Sequence, residues 1–157
     1  MEPRIEILEE KKLIGNTKVM SIANNKTKEL WSGFAPRIQE IEQRVSSDKI
    51  SMQIYNDLLY FKTFDPYQEF LKWAAVEVEN FNNVPENMDM FVLEGGMYAV
   101  FDYKGLSNDF SIFQYIFTEW LPNSAYELDK RPHFEVLGEK YQNNDPNSEE
   151  EIWIPIK

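Results

Sequence analysis

The sequence predicts an α+β fold: a duplicated strand–helix–strand–strand repeat with pseudo-twofold symmetry, giving an antiparallel sheet with two helices. Three observations carry this. Extended segments with period-two alternation dominate the chain, two stretches instead repeat their apolar residues every three or four positions, and several features recur about 80 residues apart. Asp65-Pro66 returns as Asp145-Pro146, Trp73 as Trp153, and Leu13-Ile14-Gly15 as Leu93-Glu94-Gly95, all at an offset of 80. Trp31, Phe34, Ile38 and Ile41 match Phe110, Phe113, Phe117 and Trp120 at an offset of 79. The halves span about residues 1–80 and 86–157 of a single 157-residue domain.

Taken in order, Arg4–Leu8 alternates and Lys12–Ser21 stays extended around Gly15, which predicts one long or broken first strand with a bulge at the glycine. Asn24, Asn25 and Thr27 supply capping chemistry for a helix whose stripe is Leu30, Trp31, Phe34, Ile38, Ile41 and Val45. Gly33 and Pro36 inside it predict a kink. Ile50–Tyr55 and Phe70–Val78 read as strands, joined by a loop containing Phe64, Asp65, Pro66 and Tyr67. After a polar connector at Asn80–Asn87, Met88–Tyr103 is a long extended run interrupted by Gly95-Gly96. Asn108 and Asp109 then cap a second helix carrying Phe110, Phe113, Ile116, Phe117 and Trp120, stopped near Pro122. The chain closes on a hairpin, His133–Leu137 and Glu151–Ile156, around a loop rich in Asn, Asp, Pro and Ser.

Composition narrows the chemistry. A net charge of −11 without a Lys/Arg-rich stretch argues against direct nucleic-acid binding. The absence of cysteine removes disulfides, thiolate metal sites and cysteine nucleophiles together. His133 is the only histidine, so neither a His-based metal site nor a Ser-His-Asp triad is available. No phosphate-binding glycine loop is present, and no cofactor is expected. The N-terminus resembles neither a secretory signal nor a membrane span, so a cytoplasmic protein without membrane contact is the default expectation. Glu149-Glu150-Glu151 reads as a solvated turn.

Aromatic residues make up 15% of the chain, enough to fill a core and still line a pocket. Helical spacing assigns Trp31, Phe34, Phe110, Phe113 and Phe117 to the core. Tyr55, Trp73, Tyr98 and Trp153 remain as candidate rings around a ligand, although core packing is the commoner fate of any one of them. Glu135 alternates with Phe134 and Val136 on its strand, and alternation alone allows it to face either solvent or a cleft between the halves. The offset of 80 would set Tyr55 opposite it.

Phe134-Glu135-Val136, Asn144-Asp145-Pro146 and the terminal Ile152-Trp153-Ile154-Pro155-Ile156 resemble the GyrI-like small-molecule-binding domains, the effector-binding domains of AraC-type regulators. Leu13-Ile14-Gly15 and Trp31–Arg37 extend the resemblance to the first half. It implies a pocket for lipophilic, cationic or planar compounds with a central glutamate, which falls on Glu135, and favours the cleft orientation. In such a pocket Glu135 would pair with the ligand's charge and Tyr55, Trp73, Tyr98 and Trp153 would supply ring faces, by cation–π attraction where the ligand is cationic. The resemblance also implies multidrug recognition and transcription regulation as a setting. Two alternatives come with it. One is a hydrolase of strained cyclopropane-containing electrophiles with Glu135 as general base and Tyr55 as acid or orienting donor. The other is a protein-interaction module such as a gyrase inhibitor, its acidic surface meeting a protein partner. No room is left for a DNA-binding domain, so a stand-alone binding or sequestering protein is expected.

Overall fold

The computed structural model describes residues 2–56, 61, 65–107 and 109–157. Phe64 and Asn108, named above for a loop and a cap, lie outside the described residues. The elements are β1 (Arg4–Leu8), β2 (Lys11–Met20), α1 (Thr27–Phe34), β3 (Lys49–Ile54), β4 (Phe70–Val78), β5 (Asp89–Leu93), β6 (Gly96–Lys104), α2 (Ser111–Tyr115), β7 (His133–Leu137) and β8 (Glu149–Pro155). All eight strands form one antiparallel sheet in the order β1-β6-β8-β7-β3-β4-β2-β5. Exchanging β1 with β5, β2 with β6, β3 with β7 and β4 with β8 reverses that order onto itself. The pseudo-twofold axis therefore passes between β3 and β7, the two strands at the centre of the sheet.

Two details of the repeat differ from the sequence reading. Arg4–Leu8 and Lys11–Met20 are not one interrupted strand, because β1 lies at one edge beside β6 and β2 lies near the other between β4 and β5. Leu13-Ile14-Gly15 and Leu93-Glu94-Gly95 are not equivalent either: the first triplet sits within β2 and the second begins at the end of its hydrogen-bonded neighbour β5. Each half opens with a short strand that pairs with the long second strand of the other half, which period-two alternation cannot reveal. Gly15 is no bulge, since it pairs in register with Ala75 and Asp89. Its hydrogen is required because a Cβ there would stand 2.1 Å from the Ala74 carbonyl oxygen.

Local chemistry accounts for both helices. The Thr27 amide donates to Asn25 Oδ1 at 2.9 Å, and α1 buries Leu30 and Phe34 before Pro36 forces the chain into a 3₁₀ continuation, Ala35–Glu40. Ile41 is fully buried after the break, whereas Val45 is 50% exposed and leaves the predicted stripe. The second helix starts where the Ser111 amide donates to Asp109 Oδ1 at 3.0 Å. It runs from α2 through the π-type turns Ile116–Trp120 to a last turn at Leu121–Asn123.

Directly paired residues of antiparallel strands share a face, so register sorts the sheet into two sides. On one side α1 covers Ile14, Met20, Ala74, Val76 and Val78, while the second helix covers Ala99, Phe101, Tyr103, Ile152 and Ile154. The opposite side carries Leu8, Leu13, Ile50, Met52, Trp73, Ala75, Leu93, Tyr98, Val100 and Phe134, buried together by the curl of the sheet. Phe134 stacks on Trp153 at 5.2 Å and meets Tyr98 edge-on at 5.3 Å. Arg131 braces this layer from the end: its guanidinium lies 4.7 Å over the Tyr98 ring, pairs with Asp129 at 2.9 Å and donates to the Met97 and Ile156 carbonyls.

Candidate functional site

The helices cover the two wings of the sheet, and β3 and β7 run between them. The residues that β3 and β7 turn to the helix-bearing side are Lys49, Ser51, Gln53, His133, Glu135 and Leu137, of which Ser51, Gln53, His133 and Glu135 form a polar strip bounded by apolar packing. Ser51 pairs in register with Glu135, and Gln53 with His133. The Gln53 side-chain amide donates to Glu135 Oε2 at 3.0 Å and so fixes the half-buried carboxylate in the trough. Lys72 enters from β4 in the same cross-strand row as Gln53, and Glu150 enters from β8, where it faces Tyr103 of β6.

Electrostatics ties these groups together. Burial pushes the Glu150 carboxyl up to about 8, reinforced by the negative charge of Glu135 and opposed by Lys72. Burial lowers the Lys72 ammonium from its usual range, and the two carboxyl groups Glu135 and Glu150 counter that shift. Glu150 is thus largely protonated at neutral pH, a hydrogen-bond donor rather than a second anion. The expectation that Glu149-Glu150-Glu151 is a solvated turn is corrected: all three belong to β8, and alternation sends Glu150 into the trough while its neighbours face the other side.

One end of the trough is aromatic. The Phe61 ring stacks on His133 at 5.0 Å and on Phe117 at 4.2 Å, while Tyr55 meets His133 edge-on at 5.0 Å and Phe61 at 4.8 Å. Phe70 completes the group at 5.4 Å from Tyr55. Protein rings therefore occupy the space beside Glu135, in a stack that a planar ligand could join or replace. A separate groove of about 590 Å³, lined by residues including Ile5, Tyr115, Trp120 and Tyr126, opens near β1 and the second helix, away from Glu135. It holds none of the buried charge that distinguishes the trough.

His133 is 6% exposed, and burial among these rings pulls it down to about 3. It is a neutral aromatic surface at physiological pH. The unfolded chain takes up a proton near the ordinary histidine value of about 6.5 while the folded chain does not, so His133 costs stability as pH falls from 6.5 toward 3. His133→Phe is expected to flatten this part of the acid limb in a series of urea midpoints between pH 6.5 and 4. A limb parallel to that of the parent would show that His133 is not held neutral.

Of the five residues selected from sequence, the structure brings Glu135 and Tyr55 to the trough side and sends the other three elsewhere. Trp73 pairs with Met52, Trp153 with Phe134, and Tyr98 lies two residues from the Trp153 partner Val100, so all three share the opposite side of the sheet. Their assignment as rings around Glu135 is corrected, because a one-residue change of parity exchanges faces. Tyr98 is fully buried, its hydroxyl donating to the Pro132 carbonyl at 2.8 Å. Tyr55 does not stand directly opposite Glu135, for it follows the end of β3, and Ser51 is the residue that pairs in register with the carboxylate. Gln53, Phe61, Lys72 and Glu150 were missed, although alternation on strands of known register would have found three of them. Phe117, assigned to the core, presents its ring to the Phe61 stack, and Phe110 is 55% exposed. Among the described residues no group of three metal-ligating side chains converges.

The sequence matches the GyrI-like small molecule binding domain over residues 1–157. The chain belongs to this family. A relative, the transcriptional regulator BrlR of Pseudomonas aeruginosa, is 31% identical over 130 residues, covering 82% of this chain and 45% of BrlR. The chain thus spans less than half the length of that relative. Among solved structures, SAV2435 bound to tetraphenylphosphonium aligns with a TM-score of 0.68 at 20% identity, covering 100% of this chain and 94% of that one. The EcmrR C-terminal domain aligns at 0.74 and 10% identity, covering 99% and 97%. These likenesses show that the GyrI-like fold is shared, with its curled eight-stranded sheet and two helices. Among the described residues no helix is long and apolar enough to cross a membrane.

Proposed function

We propose that this GyrI-like domain binds lipophilic cationic or planar small molecules in the trough between its helices, with Glu135 as the charge partner. The observation that carries the reading is the placement of Glu135: a half-buried carboxylate, fixed by Gln53, on the helix-bearing side next to the Tyr55, Phe61, Phe117 and His133 rings. A carboxylate removed from water gains from a cation more than an exposed one does, and ring faces add about 0.5–2 kcal/mol per good contact. Tyr55 is the ring we assign to the ligand from the original selection. The bound tetraphenylphosphonium of SAV2435 supports the ligand class.

Calorimetry reads binding directly, without relying on Trp73 and Trp153, which are on the other side of the sheet. Titration with tetraphenylphosphonium is expected to give saturable binding, weakened at least tenfold, or about 1.4 kcal/mol, by Glu135→Gln. Equal affinity in the two proteins, at matched thermal stability, would remove Glu135 from the site, and no heat in either would overturn the ligand class.

A further inference from the structure

The trough already contains an amine of its own. Lys72 projects from the middle of β4 on the helix-bearing side, in a cross-strand row that reads Lys18, Lys72, Gln53, His133. Its neighbour on β2 is another lysine, and like charges directly opposite on adjacent strands repel. On the other flank stand an amide and a neutral imidazole. The carboxyl groups that act on the Lys72 ammonium are Glu135 and, once it is ionised, Glu150, both across the trough. Repulsion from one side and attraction from the other direct the ammonium toward the carboxylate assigned above to the ligand.

We propose that Lys72 is an internal counter-cation of Glu135 and the specificity-determining residue of the trough, disfavouring organic cations relative to uncharged lipophilic molecules of similar shape. The inference rests on the binding reading and adds the charge class that the site prefers. Three ionisable groups share one side of the sheet and influence one another across the partly desolvated trough: one ammonium, one carboxylate held by Gln53, and one carboxyl group on β8. With Lys72 charged and Glu135 ionised the pair is already neutral. A neutral aromatic molecule can replace the Phe61 stack without disturbing that balance. An organic cation must push the ammonium aside, and its attraction to Glu135 is reduced by repulsion from Lys72. Lys72 would act on the ligand at long range and need not touch it.

The test compares tetraphenylphosphonium with triphenylphosphine oxide, an uncharged aryl phosphorus compound, by calorimetry on the parent chain, Lys72→Met, Lys72→Arg and Glu135→Gln. Lys72→Met removes the charge while keeping an unbranched stem, and Lys72→Arg keeps the charge and controls for folding. In Lys72→Met the preference for the cation over the oxide is expected to rise at least tenfold, through tighter cation binding with the oxide changed less than about threefold. Lys72→Arg should retain the parent's preference. A preference unchanged in Lys72→Met, while Glu135→Gln still weakens the cation, would overturn the role of Lys72 and leave the binding function standing. Absence of binding in all four proteins would overturn the function itself.

Discussion

Replacing Phe134 with alanine is expected to cost about 3–5 kcal/mol of folding stability, the range for truncating a buried aromatic side chain. Phe134 is 1% exposed at the centre of the layer on the far side of the sheet, stacked on Trp153 and edge-on to Tyr98. The cavity would open where β7 joins β8 and β3, so Met52 and Val100 would lose a neighbour as well. For a domain of this size the loss corresponds to a fall in Tm of roughly 6–20 °C. Glu135→Gln, one residue along the same strand, is expected to leave the melting temperature nearly unchanged while weakening the cation. The pair of variants thus tests the division of the sheet into a structural side and a ligand side. A melting temperature within 2 °C of the parent for Phe134→Ala, about the effect of less than 1 kcal/mol, would show that the curled side is loosely packed.

That division marks where the sequence was legible. Phe70–Val78 and His133–Leu137 were bounded from alternation alone, because half-buried strands must alternate and their ends carry turn residues. The repeat was visible too, since Asp65-Pro66 and Asp145-Pro146 both precede the last strand of a half. What alternation does not contain is which strands become neighbours. The exchange of the short strands β1 and β5 between halves depends on pairing across 74 to 96 residues, and the near match of Leu13-Ile14-Gly15 to Leu93-Glu94-Gly95 concealed it. Errors in the site have the same origin. Trp73 and Trp153 are conspicuous as matched large rings, yet Lys72 and Ile152, one residue before each, face the trough. Glu135 was placed through family resemblance, for its own strand pattern left both faces open. Glu150 was concealed inside an acidic run, where composition suggests solvent and only register separates it from Glu149 and Glu151.

Glu150 provides the second large effect, and it depends on pH. A carboxyl group whose folded value is raised to about 8 keeps its proton while the unfolded chain loses its own near the ordinary value of 4.5. Stability from this group is therefore complete below pH 4.5 and declines as pH rises through the interval to about 8, above which both states are ionised. Glu150→Gln is expected to raise stability at pH 8 and to leave it unchanged at pH 4. Binding responds in the opposite sense. A cation in the trough favours the ionised carboxylate, so below pH 8 its entry expels the Glu150 proton, and affinity for tetraphenylphosphonium should strengthen by up to about tenfold per pH unit between 6.5 and 8. Glu135, Lys72 and the Tyr103 hydroxyl face the same group; loss of the Lys72 proton would strengthen cation binding in the same direction. Calorimetry in buffers of different ionisation enthalpy separates the two sources. Proton release by the parent that persists in Lys72→Met and disappears in Glu150→Gln assigns it to the carboxyl group. Release that survives in Glu150→Gln would show instead that the ammonium is the group that yields, and that Glu150 is a spectator at the edge of the trough.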